Sequence, residues 1–451
     1  MSFTNTQRHV FGLRAPYDFE ALETPEAILE LIRKGERGLE ASAVETPEGI
    51  YWVDTYQDDP NLSFYSGSAG ILYLYAKLHR AFGGYEAVLE KATRYLLANW
   101  RDFRQGRLLA DLFDGTNSFY FGLVGVSLAL IEVYDLVDAE LQAKLKAEVA
   151  ALADEVMARA KQDEGGDFYW NAGAIGLDGG VILQLLEIEK FTGHPGIRGF
   201  VESAARHYLK GGTETKDGLL FDGWGGSFPF VLPNFEFGNA GAGFVLLKLY
   251  ESFGDEVYLK TALRAEEFLD AIKIPQERGF LIPYRYGDSE APIFYLGSCH
   301  GPAGTSKFYY KLHQITGEGK YLEKIYGLVD GQLSLGAPLR QSAGLWNSVN
   351  LCCGHAGLLQ FYLGLYQSLK DEKFLKLARE AAGVLAGERE EGEKGAYWTF
   401  AFTRIRPEEL DNLVGYYVGS AGVISALLQL YLTETNHFEW TRLTDDPFAT
   451  K

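Results

Sequence analysis

Gly419-Ser-Ala-Gly-Val-Ile-Ser-Ala-Leu-Leu-Gln-Leu-Tyr-Leu432 is a Gly-x-x-Gly element running straight into an apolar stretch, and the unit recurs along the chain. Earlier copies open at Gly67-Ser-Ala-Gly70, Gly122-Leu-Val-Gly125, Gly176-Leu-Asp-Gly179, Gly238-Asn-Ala-Gly241, Gly301-Pro-Ala-Gly304 and Gly354-His-Ala-Gly357. Successive first glycines lie 55, 54, 62, 63, 53 and 65 residues apart. One such tetrapeptide carries no information. Seven at near-regular spacing mark a repeat architecture.

Each element opens a stretch that reads as helix, for example 71–81, 126–136, 244–253, 358–369 and 423–432. These are apolar nearly all round, the pattern of buried helices. Between them lie stretches with charge on one face: 25–41, 85–100, 139–161, 195–209, 256–272, 320–335 and 372–386. Seven apolar and seven amphipathic helices in alternation predict an all-α fold, an α/α toroid with the apolar set inside and the amphipathic set outside. Glycine lets the chain turn tightly and lets backbones approach closely. The arrangement also gathers seven helix N-termini, with their unpaired N–H groups and partial positive charge, at one end of the barrel.

No linker-like change of composition interrupts the 451 residues, so the expectation is a single domain over 1–451. A lead-in of about 1–24 precedes it, and a loosely attached tail of about 437–451 follows. The inserts 211–237 and 273–296, rich in Gly, Phe, Tyr and Pro, read as loops or short strands walling a pocket at one barrel end. No apolar run is long enough to span a membrane, and the start shows no signal-peptide pattern. A net charge of -19 excludes the basic footprint that nucleic acid and anionic lipid need.

All three cysteines fall in two glycine-framed segments, Gly297-Ser-Cys-His-Gly-Pro-Ala-Gly304 and Cys352-Cys-Gly-His-Ala-Gly357. A lone cysteine usually packs as a small hydrophobe. Three confined to matching positions of repeats five and six supply three of the four ligands of a tetrahedral zinc, leaving the fourth for substrate. Unpaired thiols of this kind point to a reducing cytoplasm.

The sevenfold pattern, with Cys-His-Gly-x-x-Gly in repeat five and Cys-Cys-Gly-x-x-Gly in repeat six, resembles the lanthionine synthetase C-like proteins over roughly residues 60–433. The resemblance implies an α/α toroid with one zinc per chain at the barrel mouth. It implies the ligands Cys299, Cys352 and Cys353, with Cys353 where histidine is commoner and His355 as the rival ligand. It further implies addition of a thiol to dehydroalanine or dehydrobutyrine. The partner is then a peptide dehydrated by a separate dehydratase, or a small thiol such as glutathione. The histidine that such cyclases place before the glycine of repeat four is here Phe237, preceded by Glu236. An aspartate expected upstream in repeat three has Asp167 and Asn171 as its nearest counterparts.

Candidates for proton transfer are therefore His300, His355, Asp167 and Glu236, with Asp222 within reach of the mouth. Each has a commoner role: the histidines as supports bonded to backbone carbonyls, the carboxylates as solvated groups. Asp178 reads as a helix cap, and the inner-helix Tyr and Phe residues as core. The rival readings are a non-catalytic zinc scaffold for a peptide or partner, and a carbohydrate or terpenoid barrel enzyme that would need paired carboxylates or an Asp-rich metal motif at its mouth.

Overall fold

The computed structural model describes residues 16–53, 60–104, 115–171, 173, 175–224, 226, 230–287, 292–340, 348–403, 406–438 and 443–448, the side chains of 400–410 excepted. Fourteen α-helices alternate in character among these residues. The odd-numbered ones are amphipathic: α1 (Pro25–Glu40), α3 (Glu86–Asn99), α5 (Ala139–Ala158), α7 (Ile197–Leu209), α9 (Glu256–Ile272), α11 (Lys320–Ser334) and α13 (Glu372–Gly387). The even-numbered ones are α2 (Ser68–Phe82), α4 (Leu123–Val133), α6 (Asp178–Thr192), α8 (Asn239–Phe253), α10 (Pro302–Thr316), α12 (His355–Leu369) and α14 (Ser420–Glu434).

Burial follows the sequence pattern. Helix α1 buries one stripe, Ile28, Leu31, Ile32, Gly35, Glu36 and Leu39, whereas α14 buries every residue from Ser420 to Leu430. A helix apolar all round needs neighbours on every side, and the even helices find them in a closed ring, each packing on the next and α14 returning to α2. Each odd helix lies against the even helix before it, and α1 covers α14. The first helix of the chain thus completes the last repeat, and the toroid of seven inner and seven outer helices is as expected.

The inner helices begin earlier than the apolar stretches, because the Gly-x-x-Gly element is itself the first turn. Six are capped by the first glycine, with φ between -118° and -147°, ordinary extended backbone. Space, and not conformation, demands glycine there: a Cβ on Gly354 would lie 1.6 Å from the Ser348 carbonyl oxygen. Repeat three corrects the sequence reading. Its cap is Leu177 and its close-packed glycine is Gly180, so the unit sits one residue beyond Gly176-Leu-Asp-Gly179.

Among the described residues, six antiparallel hairpins lead from outer to inner helices: β1–β2 (Ala43–Thr46, Gly49–Trp52), β3–β4 (Lys161–Gln162, Phe168–Tyr169), β5–β6 (Gly212–Thr215, Gly218–Phe221), β7–β8 (Ile274–Pro275, Phe280–Leu281), β9–β10 (Glu390–Gly392, Gly395–Tyr397) and β11–β12 (Phe400–Thr403, Arg406–Asp411). They rim the barrel end where the inner helices start.

The tail is a second correction. Leu443–Phe448 runs into the barrel: Thr444 donates to Gln184 of α6, Gln314 of α10 donates to the Pro447 carbonyl, and Phe448 packs on Tyr310 and Phe361. Asp445 and Phe448 are only 1% and 4% exposed. Residues 443–448 are core, not a loose appendage. No helix among the described residues is long and apolar enough to cross a membrane.

Candidate metal centre

The residues just before each inner helix form a belt around the barrel axis. Tyr65 N–H donates to the Tyr120 carbonyl (2.9 Å), Tyr417 to Tyr65 (2.8 Å), Cys352 to Tyr417 (2.9 Å), Cys299 to Cys352 (3.2 Å) and Glu236 to Cys299 (2.9 Å). Gly176 continues it, donating to Glu236 (2.9 Å). Apart from Gly176, every residue in this chain of bonds stands two positions before the cap of its helix. The extended backbone needs partners for its N–H and C=O groups, and neighbouring repeats supply them. Side chains at this position then converge on the axis, where Tyr65, Tyr120, Glu236, Cys299, Cys352 and Tyr417 line one small cavity.

Two of the three cysteines share that position in adjacent repeats, and Cys353 follows in the next place. Its Sγ lies 3.4 Å from Cys299 Sγ and 3.6 Å from Cys352 Sγ. All three sulfurs fall within 4.8 Å of one another, an arrangement able to hold a metal ion. The Cys353 amide is fixed by Asn350 Oδ1 at 2.8 Å. Burial, reinforced by the neighbouring thiols, pushes the Cys299 thiol well up. At Cys352 the contact with Cys299 pulls down, but Cys353 and burial outweigh it. Three thiolates this close in a buried place need a cation to compensate them.

Glu236 borders this cluster and forms a second group with Cys299 and His300. Its Oε2 lies 3.9 Å from Cys352 Sγ, and burial followed by the proximity of Cys352 pushes its carboxyl well above the usual range. A ring nitrogen of His300 also falls within 4.8 Å of the Glu236 carboxylate and Cys299 Sγ. His300 packs among Phe237, Tyr284 and Tyr295, its Nδ1 has no hydrogen-bond partner among the described residues, and burial lowers its pKa to about 3. It is therefore a neutral imidazole.

Other candidates lie elsewhere. His355 is fully buried, with Nδ1 3.2 Å from the Ser348 carbonyl and Nε2 2.8 Å from that of Pro338. Burial lowers its pKa, and the neutral ring donates its single N–H to one of these carbonyls, so it orders the approach to α12 and is not grouped with the thiols. Asp167 is committed to Arg206 and Lys210 of the α7 end, each at 2.9 Å, and to Ser203. Asp178 accepts from the Trp170 and Asn171 amides, and Asp222 from those of Trp224 and Gly226. These two carboxylates hold turns.

Sequence reasoning missed Tyr65, Tyr120 and Tyr417. They are not anonymous core: they carry the same register as Cys299 and Cys352, two residues before the capping glycine, and that was the available signal. Tyr417 stacks on Tyr65 at 5.5 Å, and Tyr120 donates to Asp445 Oδ2 at 2.7 Å. Lys307 of α10 reaches the same oxygen at 2.8 Å. The C-terminal segment thus supports the wall behind the sulfurs.

No curated protein matches the sequence. Among solved structures, nisin cyclase superposes with a TM-score of 0.61 at 15% identity, covering 91% of this chain and 94% of that one. A Listeria innocua protein gives 0.47 at 14% (82% and 98% covered), and an α-1,6-mannanase from Salegentibacter sp. gives 0.46 at 14% (92% and 99% covered). Identities this low speak to the fold alone. The sequence profile described as lanthionine synthetase C-like protein matches residues 25–225 and 237–443, nearly the whole chain. A toroid of seven glycine-capped repeats, with its thiols gathered where repeats five and six meet the axis, is thus joined to one family by sequence as well as by shape: the chain belongs to the lanthionine synthetase C-like proteins.

Proposed function

We propose that this protein adds a thiol across the double bond of dehydroalanine or dehydrobutyrine, with one zinc ion held by Cys299, Cys352 and Cys353. The observation that carries the reading is the convergence of three sulfurs from two repeats, 3.4 and 3.6 Å apart along two of their edges. Zn–S bonds of about 2.3 Å in a tetrahedron require S···S edges of about 3.8 Å, so the thiols need only small adjustments. Zinc bound there would acidify an incoming thiol and present it as the nucleophile.

The chain's own residues supply the rest. The Tyr65, Tyr120 and Tyr417 rings line the cavity at Cys299 and Cys352, and their burial makes electrostatic interactions there stronger. Addition leaves negative charge on the substrate carbonyl and a proton to be delivered at Cα. The buried Glu236 carboxyl, raised toward its neutral form, and the neutral His300 ring are the groups placed to donate and to orient. We assign no proton transfer to His355 or Asp167, whose polar atoms are held by backbone and by Arg206 and Lys210. The proposed partner is a peptide dehydrated by a separate enzyme, in a reducing cytoplasm; transfer of a small thiol such as glutathione to dehydro residues is the variant.

Phe237, in place of a histidine, favours a second reading, a zinc-containing scaffold that binds peptide without chemistry. One experiment separates them. Purified protein is assayed for zinc, then incubated with a dehydroalanine peptide and glutathione, and thioether formation is followed by mass spectrometry. One zinc per chain with thioether formed well above the Cys352→Ala background supports the enzyme. Zinc with no thioether leaves the scaffold, and absence of zinc overturns both.

A further inference from the structure

We infer that Glu236 is a fourth protein ligand of this metal centre, one that an incoming thiol has to displace. The inference rests on the zinc reading above. Its first support is register: repeats four, five and six place Glu236, Cys299 and Cys352 at the same position, two residues before the helix cap. One backbone bond ties Glu236 to Cys299 and another ties Cys299 to Cys352. Three successive repeats therefore place a donor at one register, with Glu236 beside both Cys299 and Cys352, and Cys353 adds the fourth.

Distance agrees. Glu236 Oε2 is 3.9 Å from Cys352 Sγ, and its carboxylate falls within 4.8 Å of Cys299 Sγ. An S···O edge of a zinc tetrahedron is about 3.6 Å. Charge supplies an independent argument. Glu236 is 5% exposed, and among the described residues no cationic side chain forms an ion pair with it. Lys307, which acts on it from a distance, is already paired with Asp445 at 2.8 Å. A carboxylate buried without a cation must take a proton or bind a metal, and the cysteines create a metal position beside it.

The exchange is balanced. An incoming thiol bonds to the metal as thiolate as the Glu236–metal bond breaks, and the thiol proton passes to the released carboxylate. The net charge of the buried site stays constant through the exchange. The ligand class that fits is thus a thiol, which replaces one anionic donor by another, and not a neutral donor.

The test uses the full-length protein loaded with zinc and, in parallel, with cobalt(II), comparing wild type, Glu236→Gln and Glu236→Ala. Folding of each is checked by circular dichroism, and N-acetylcysteine is the thiol probe. Loss of Glu236 is expected to weaken zinc binding by about 10–100-fold in competition with a chelator, whether it binds directly or supports the ligands. It is also expected to change the visible absorption of the cobalt form. The decisive readout is opposite in sign: without the internal competitor, N-acetylcysteine should bind the cobalt centre about tenfold more tightly, as for a site otherwise blocked nine-tenths of the time. A residue that only bonds to Cys352 from outside would leave thiol affinity unchanged or weaker. Variants with wild-type cobalt absorption and unimproved thiol binding overturn the inference while leaving the zinc site standing. A wild type that takes up neither metal overturns the zinc reading itself.

Discussion

At Cys353 this chain carries a cysteine and not the histidine that the sequence resemblance implies is commoner, and under the proposed zinc site the difference has a direction. A zinc held by three thiolates would be more electron-rich, so a substrate thiol on it would be harder to deprotonate and more nucleophilic once deprotonated. Cys353→His is expected to retain the metal while moving the pH midpoint for thiol binding to the cobalt form downward. Cys352→Ala is expected to abolish metal binding with helical circular dichroism intact, because Cys352 lies at the rim, ahead of α12. His300 gives a pH prediction. Its folded pKa of about 3 is depressed below the unfolded value near ~6.5. Between these values the unfolded chain binds the extra proton, so metal-free protein should lose stability as pH falls from about 6.5 toward 3. Urea midpoints across that range should fall less steeply in His300→Gln. None of these environments is written in composition. The three cysteines announced themselves by sharing two motifs, whereas Tyr65, Tyr120 and Tyr417 look like every other core tyrosine until the belt gives them the register of Cys299.

The Gly-x-x-Gly turn is where sequence and structure meet most closely, and also where the pattern misleads. The alternation of apolar and amphipathic helices was legible because burial on all sides and burial on one side leave different residues. The boundaries were less so, since the glycines are inside the first turn, and repeat three has Leu177 where six repeats have glycine. There Gly176 and Gly179 mimic the motif one residue early. If close approach is the reason for the second glycine, alanine should fail there and succeed elsewhere. A Cβ on Gly125 would lie 2.3 Å from the Phe119 carbonyl, and one on Gly180 2.2 Å from that of Ile175. Each Gly→Ala change is expected to destabilise by about 1–3 kcal/mol through forced backbone shifts. Gly199, in the first turn of outer helix α7, has nothing within 4 Å of such a Cβ. Gly199→Ala should instead stabilise by about 0.5–1 kcal/mol through lost unfolded-state freedom. Urea unfolding of the three variants reads the contrast of sign directly.

A ring of repeats has to be closed, and this chain closes it from both ends. Helix α1 covers α14 from outside, joining residues near 30 to residues near 425, while Leu443–Phe448 fills the barrel from within. The short tail reads as solvent-bound because Asp445, one of its several carboxylates, finds its partners only in three dimensions. Asp445 is buried against Lys307 of α10 and the Tyr120 hydroxyl, so it links the 443–448 segment to the wall of the candidate metal centre. Removing one member of a buried ion pair strands the other, which costs about 3–5 kcal/mol. Asp445→Ala is therefore expected to destabilise by about that amount, with Lys307→Met comparably costly and the double variant less so than the sum. If Asp445 also braces Tyr120, thiol binding at the cobalt centre should weaken in Asp445→Ala at urea concentrations well below unfolding. Phe448→Ala, which removes packing on Tyr310 and Phe361 but leaves the pair in place, should lower stability alone. Additive losses in the double-variant cycle, with thiol affinity untouched, would reduce the tail to a plug without influence on the site.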